Sequence, residues 1–447
     1  MEIAIYCGKT YSIANACNKA SGNMLDADGA LKWVSEKGAG SGLVFGTDVV
    51  PYALFNYKEK NWADTPIFKY IARGGVVVWV GDAPFRFVEI NGEKTEAGLN
   101  VFPIRPVGIG MKINNVESTA VGAFLSYNQA ESTAPVPRSD LLIPLSVADY
   151  GVGTVYPAWI YRHGKGMLVR LFDTPNIDWN SVMSVVNGIE MLGSVTIIRL
   201  KNYRKFSNSM FVLPKAKVGV VLGRNDVGKS SLLEAIALLD ESNRPIVEKI
   251  REMKDTGTVE LFTEWSYFRK DLSKNENYPG FLLITPSVTP SIHLDPYSAR
   301  RVAEVLRGMG INISEIYIAA DGSVRVVLTD GTDVPLAAIG RGYKSITYLA
   351  SMMFEKRPRV LLIDEPESFS LRPDVMTRLL DFIVRSDADL ILISTQSGDV
   401  NFIVPTVATQ KNIETAFLVL GTKGQKVLTL PEAVKLSQNS DLRFLVD

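Results

Sequence analysis

The stretch VGVVLGRNDVGKSS, Val218 to Ser231, decides the fold. Val218 to Leu222 is a short apolar run bounded by polar residues, which reads as a buried strand. The residues that follow, Gly223-Arg224-Asn225-Asp226-Val227-Gly228-Lys229-Ser230, satisfy G-x-x-x-x-G-K-[ST]. The apolar-periodic run Ser231 to Leu239 then reads as a helix, so the loop has the strand-loop-helix context that phosphate binding requires. Gly223 and Gly228 let the backbone curl until successive N–H groups point inward, and the positive end of the next helix reinforces them. Arg224, Asn225, Asp226 and Val227 carry those amides, and Ser231 closes the turn. Lys229 supplies a point charge between β- and γ-phosphates, and the Ser230 hydroxyl is placed to ligate Mg²⁺. The expected ligand is ATP with Mg²⁺.

A second element lies downstream: Arg359-Val360-Leu361-Leu362-Ile363-Asp364-Glu365, four apolar residues forming a buried strand that ends in two carboxylates. Taken alone it is also the pattern of an acidic turn after a core strand. Beside a phosphate loop, Asp364 is expected to hold the magnesium shell and Glu365 to polarise an attacking water. A glutamate directly after the aspartate separates this arrangement from small GTPases, where another residue positions water.

Together, Ile197 to Phe206 (IIRLKNYRKF), the loop GRNDVGKSSLLEAI and the run LLIDEPE resemble the ABC-type ATPases of the SMC, RecF and OLD-like group. The resemblance covers about Val195 to Thr422. It is specific for the superfamily and says little about biological role. It implies that the turn bearing Arg204, Lys205 and Phe206 lies near the base or phosphates, although Phe206 packed in a core with two solvated cations fits the residues as well. It also places a signature element at Leu336 to Phe354. There Gly340 and Gly342, followed by a helix, resemble the element that meets the γ-phosphate of the opposite subunit, with Lys344 adding charge. A head-to-tail homodimer with nucleotide between the subunits is implied. The residues alone also fit a glycine turn before a core helix.

This sequence departs from the group in several places. The signature reads Ile339-Gly340-Arg341-Gly342, without the serine many relatives carry. After the strand Leu390 to Ile393 comes Ser394-Thr395-Gln396, where the group often has a switch histidine. Gln396 donates and accepts hydrogen bonds but cannot become cationic, so ATP binding is more firmly implied than fast hydrolysis. Leu371-Arg372-Pro373 follows the acidic run with one inserted residue, and no glutamine between Gln129 and Gln396 offers a Q-loop. No heptad pattern runs between Ser230 and Gly340, so no coiled-coil arm is expected, and too few residues follow Val400 for the nuclease of OLD proteins.

Upstream, β-rich runs (Glu2 to Tyr6, Gly42 to Phe45, Val76 to Val80) alternate with helical segments near Asp28 to Ser35 and Pro66 to Ala72, implying a parallel α/β layer. Gln129 to Pro144 reads as a surface loop, Met167 to Phe172 as a returning strand, and Ile177 to Leu192 as a helix stopped by Gly193. The expected division is an α/β domain at 1–193 and the P-loop NTPase domain at 194–447. GLVFGTDVVP, GGVVVWVGDAP and RHGKGMLVRLFD weakly resemble class I glutamine-amidotransferase-like domains of the trehalose-utilisation type, a flavodoxin-like layer. The strand Val76 to Val80 ends in Gly81-Asp82, with no cysteine at the nucleophile position. Cys7 with His163 is the only formal Cys-His pair there; His293 is the other histidine. A buried thiol and a structural histidine beside Gly164 is the plainer reading, which leaves a non-catalytic module that docks a partner.

The whole chain has 447 residues, 46% hydrophobic and 21% charged, with Lys plus Arg equal to Asp plus Glu at 48 each. That length calls for two or more domains. Balanced charge gives no global field for nucleic acid, so DNA maintenance or defence rests on family analogy alone. No segment is apolar enough to span a bilayer, and MEIAIYCGKT lacks the regions of a secretory signal, which places the chain in the cytoplasm. Two cysteines, Cys7 and Cys17, argue against a structural disulfide. The leading expectation is an ATP-binding, slowly hydrolysing switch. A non-hydrolysing nucleotide sensor and an ATP-driven amidotransferase are the competing classes.

Overall fold

Val218, Val220 and Leu222 face one hydrophobic core and Val221 faces another. This is the period of two required of a strand covered on both faces. The same alternation recurs beside it, with Leu361 and Ile363 opposed to Val360 and Leu362, and Ile391 and Ile393 opposed to Leu390 and Leu392. The computed structural model describes residues 1–8, 22–59, 61–99, 102–110, 112–151, 153–174, 177–250, 256–286, 294–437 and 441–446. It divides into two α/β units, one of Met1–Leu192 with Trp265–Tyr267 and one of Gly193–Glu264 with Phe268–Asp447. Among the described residues no helix is long and apolar enough to cross a membrane.

In the first unit the strands are β1 (Glu2–Tyr6), β2 (Asn23–Leu25), β3 (Ser41–Phe45), β4 (Val76–Val80), β5 (Leu142–Pro144), β6 (Trp159–His163) and β7 (Gly166–Leu171). Among the described residues they form a sheet in the order β5-β6-β7-β4-β3-β1-β2. The strands from β2 to β7 in that order are parallel, and β6 and β5 are antiparallel. The parallel part follows the flavodoxin-type order, with its switch point between β1 and β3. Helix α1 (Ala27–Glu36) starts at Asp26, whose side chain accepts from Gly29 N, α2 (Pro66–Ala72) starts on a proline that needs no N–H partner, and α3 (Trp179–Gly188) starts at Asp178, whose side chain accepts from Asn180 N. Phe45 stacks on Trp79 with ring centroids 5.2 Å apart in a core where each large apolar side chain stabilises by about 1.5–3 kcal/mol.

Two expectations for this unit are corrected. Gln129 to Pro144 is not plain loop: it carries short strand segments at Glu131–Ser132, Val136–Pro137 and Leu142–Pro144. The organiser is Asp173, which accepts from Gln129 Nε2 (2.8 Å), Ser132 Oγ (2.5 Å), Thr133 N (2.8 Å) and Ala134 N (2.7 Å) and pairs with buried Arg170 at 3.0 Å. Cys7 is disulfide-bonded, not a free thiol; Cys17, the only other cysteine in the sequence, lies outside the described residues, as does His293. The Cys7–His163 pair is excluded by topology as well. His163 ends an antiparallel strand level with the start of β4, whereas Cys7 follows the end of β1. They lie at opposite edges and four strands apart, about 19 Å at 4.8 Å per strand. The His163 ring packs against Trp62 and Phe68.

In the second unit β8 (Val195–Tyr203) and β9 (Phe206–Pro214) form a hairpin whose turn is tightened to Arg204-Lys205, with Arg204 at φ 51°. They join β11 (Thr258–Thr263) and β12 (Ser266–Asp271) in an antiparallel sheet. The P-loop strand β10 (Val218–Leu222) lies in a second sheet with β13 (Phe281–Ile284), β14 (Val360–Asp364), β15 (Leu390–Ser394), β16 (Thr415–Gly421) and β17 (Gly424–Thr429). Its order is β13-β14-β15-β10-β16-β17, and every neighbouring pair is parallel except β16 with β17. Helix α4 (Lys229–Ala237) buries Leu232, Leu233 and Ile236 in the core shared with the antiparallel sheet. It begins at Lys229, two residues before the sequence reading put it. Helices α5 (Pro296–Gly308), α6 (Arg341–Lys356) and α7 (Pro373–Val384) contribute to the other core.

Candidate functional site

Strand register builds the site. Val221 and Asp364 both pair with Ser394. The loop after β10, the Glu365 turn after β14 and the Gln396 segment after β15 therefore leave the sheet at one edge. That is the carboxyl edge where open parallel sheets bind ligands.

In the loop, Gly223 has φ 145° and Gly228 φ 107°. A Cβ on Gly223 would come within 2.3 Å of Leu420 O, and one on Gly228 within 2.4 Å of Lys205 Cε and 2.8 Å of Phe206 Cζ. Gly228 starts α4 without a side-chain cap, so the first amides of the helix are served by no capping side chain. Lys229 is 5% exposed, and its Nζ donates to Gly223 O at 3.0 Å and Arg224 O at 2.8 Å. Burial pulls its pKa below the usual lysine value, while the carboxylates of Glu365, Asp364, Glu367 and Asp226 push it back.

Ser230 Oγ donates to Asp364 Oδ1 at 3.1 Å, and Ser394 Oγ donates to the same oxygen. Glu365 is left-handed at φ 46°, and its N–H donates to Ser394 O at 3.1 Å. Burial raises its carboxyl pKa, the negative charges of Asp364 and Glu367 raise it further, and Lys229 opposes them. A carboxyl pushed upward beside a cation and a hydroxyl-carboxylate pair is suited to taking a proton from water.

The remaining expected residues divide. Arg224, Asn225 and Asp226 are exposed in the loop, and Val227 is half-buried. Phe206 is 7% exposed, packs edge-on against Phe211 at 5.7 Å, and lies against Gly228 of the loop. Arg204 pairs with buried Glu234 of α4 and donates to Ser231 Oγ at 3.4 Å, which directs both Arg204 and Ser231 to that helix. Lys205 Nζ donates to Asp226 O, within the loop itself. Gly340 is the N-cap of α6, and Gly342 lies in its first turn, not before it. A Cβ on Gly342 would come within 2.4 Å of Phe369 O, so this glycine admits the turn Pro366–Phe369. Lys344 is half-buried in the same first turn.

Gln396 enters through its backbone: its N–H donates to Glu367 Oε1 at 2.8 Å, and its carbonyl accepts from Arg443 Nη1 at 2.6 Å. Sequence reasoning missed Glu367, Ser394 and Arg443. The second acidic residue of Asp-Glu-Pro-Glu was the available signal for Glu367; Arg443 had none. Among the described residues no group of three or more His, Cys, Asp or Glu side chains could hold a metal by itself.

No protein-family model and no curated protein matches the chain. Solved structures similar to it include an SMC head bound to the C-winged helix domain of ScpA, 15% identical, covering 54% of this chain and 99% of that one, with a TM-score of 0.39. The SMC head domain from Thermotoga maritima is 14% identical over 53% of this chain and 98% of that one, with a TM-score of 0.33. The cbiO1 protein from Clostridium perfringens, part of the ABC transporter complex cbiONQ, is 17% identical over 55% of this chain and 92% of that one, with a TM-score of 0.34. At these identities and scores the likeness assigns no activity to this chain.

Proposed function

We propose that the second unit binds ATP with Mg²⁺ and hydrolyses it slowly as a molecular switch. The observation that carries this is the meeting of Ser230 and Asp364 on one hydrogen bond beside buried Lys229. The residues present fit a phosphate group: a Cβ at Gly223 would strike Leu420 O and one at Gly228 would strike Lys205 and Phe206, so glycine is what lets the loop keep the curl that turns its amides inward. Lys229 is one cation facing four carboxylates, so a polyphosphate needs a divalent partner to approach that edge. Ser230 and Asp364 would hold Mg²⁺, with phosphate oxygens and waters completing its shell. When bound, the ion neutralises charge on the β- and γ-phosphates.

Loop amides and Lys229 orient the γ-phosphate. Glu365 takes a proton from water as the water oxygen bonds to phosphorus and the bond to the β-phosphate oxygen breaks, releasing ADP and phosphate. In a head-to-tail dimer, Gly340, Gly342 and Lys344 of one chain would face the nucleotide of the other, and the first unit would report closure to a protein partner. Phosphate release from the intact protein, compared with Glu365→Gln, tests the chemistry. Unchanged turnover in that variant removes Glu365 from it. A second reading, a nucleotide sensor that does not hydrolyse, is favoured by one observation: uncharged Gln396 is held by its backbone. In single-turnover measurement it predicts bound ATP and no product over hours.

A further inference from the structure

The segment after β15 is gripped on two sides by charged side chains of opposite sign. On one side, Glu367 Oε1 accepts from Thr395 Oγ1 (2.9 Å), Gln396 N (2.8 Å) and Ser397 N (3.1 Å). On the other, Arg443 Nη1 donates to Gln396 O (2.6 Å). A carboxylate on the N–H side and a guanidinium on the C=O side both match the peptide dipole, and hydrogen bonds to ionised partners are the strong ones. We propose that Glu367 and Arg443 are positioning residues that set where the Gln396 side chain stands in the nucleotide site. The proposal rests on the ATPase reading of that site.

The C-terminal element that supplies Arg443 is itself anchored. Asp441 binds the Arg443 guanidinium through Nε at 2.9 Å. Leu442 is buried in the core of the unit, and Val446 O accepts from Lys423 N at 3.2 Å. A Cβ on Gly421 would come within 2.5 Å of Val446 O, so glycine there permits the seat. The ring of Phe444 lies 5.8 Å from the Arg443 guanidinium and 5.5 Å from that of Arg224 in the phosphate loop. The 3-10 turn Leu442–Phe444 thus touches both the loop that starts α4 and the segment that carries Gln396.

Two measurements on the full chain test this. In the first, ATP affinity by calorimetry and single-turnover hydrolysis are compared for wild type, Arg443→Ala, Arg443→Lys, Glu367→Ala and Glu367→Gln. The expected result is about a tenfold loss of turnover in both alanine variants with ATP affinity within about threefold, partly restored by Lys and Gln, which keep one donor and one acceptor. In the second, hydrogen exchange of peptides covering 394–398 is followed without nucleotide. Exchange should quicken in Arg443→Ala and Glu367→Ala and slow again in the conservative variants. Unchanged exchange in both alanine variants overturns the positioning role, whatever ATP turnover is found. Quickened exchange in the alanine variants, with a wild type that never hydrolyses ATP, leaves the positioning role standing and removes the hydrolytic reading of the site instead.

Discussion

Ser230 Oγ donates to Asp364 Oδ1 at 3.1 Å, joining the first turn of α4 to the end of β14. The residues are 134 positions apart in the chain, and strand register aligns the elements that carry them. A hydroxyl and a carboxylate brought together next to a buried lysine have little reason to meet in a core designed only for packing, where buried polar groups cost free energy unless they are paired.

Glu365 gives a prediction with a defined sign. Its pKa is raised, by burial first and then by Asp364 and Glu367. A general base works only when deprotonated, so turnover should fall as pH drops through a value above the ordinary glutamate figure of about 4.3. Glu365→Gln should lower turnover about 10²–10⁴-fold and keep ATP bound. A pH profile of single-turnover rates checks the first part. An acid limb at or below the ordinary value contradicts it.

Gly342 is predicted to be intolerant of a methyl group. The added Cβ would press on Phe369 O at 2.4 Å and Leu371 Cδ2 at 2.7 Å. Overpacking of this kind costs about 1–3 kcal/mol. The displaced turn carries Glu367, so Gly342→Ala should lower the denaturation midpoint of the second unit and quicken exchange at 394–398 together. A stable variant with native exchange would mean that the turn has room to spare.

Asp173 predicts the acid behaviour of the first unit. Burial alone would raise its pKa, but the charge of Arg170 and donors from Ser132, Ala134 and Thr133 outweigh burial and hold it below the usual aspartate range. A folded-state value below the unfolded one means the contribution is complete above about pH 3.9 and is lost as pH falls through the lower, folded value. Asp173→Asn leaves Arg170 buried without its charge partner and should cost about 3–5 kcal/mol. Trp33, Trp62, Trp79, Trp159 and Trp179 lie within Met1–Leu192, so with Trp265 replaced by phenylalanine the tryptophan fluorescence during denaturation follows this unit. Variant and wild-type midpoints that coincide would contradict the assignment.

Much of this site is legible in the sequence because its parts are local. Gly223 to Ser230 and Val360 to Glu365 are contiguous runs whose residue types fix a strand end and a tight loop, and the structure brings both to one edge. The parallel first layer was readable for the same reason, from β-rich runs alternating with helices. What the sequence hides depends on distant partners. Arg443 reaches Gln396 from 47 residues away, at the end of the chain, with no motif around it. Phe206 sits in a recognisable turn, but its direction follows from packing on Phe211, which no local pattern encodes. Rarity of cysteine argues against a disulfide framework, but it does not forbid a single bridge, and Cys7 is disulfide-bonded.

The central claim is that buried Lys229 and its loop grip a nucleoside triphosphate. Calorimetric titration of the intact protein with ATP and magnesium tests it most directly, with Lys229→Ala alongside. Hydrogen bonds to a charged group are worth about 1.5–3 kcal/mol, so the variant should bind at least about tenfold more weakly. The account predicts saturable heat in the wild type that Lys229→Ala weakens or abolishes. Equal binding by the two proteins, or no heat from the wild type at millimolar ATP, would contradict it.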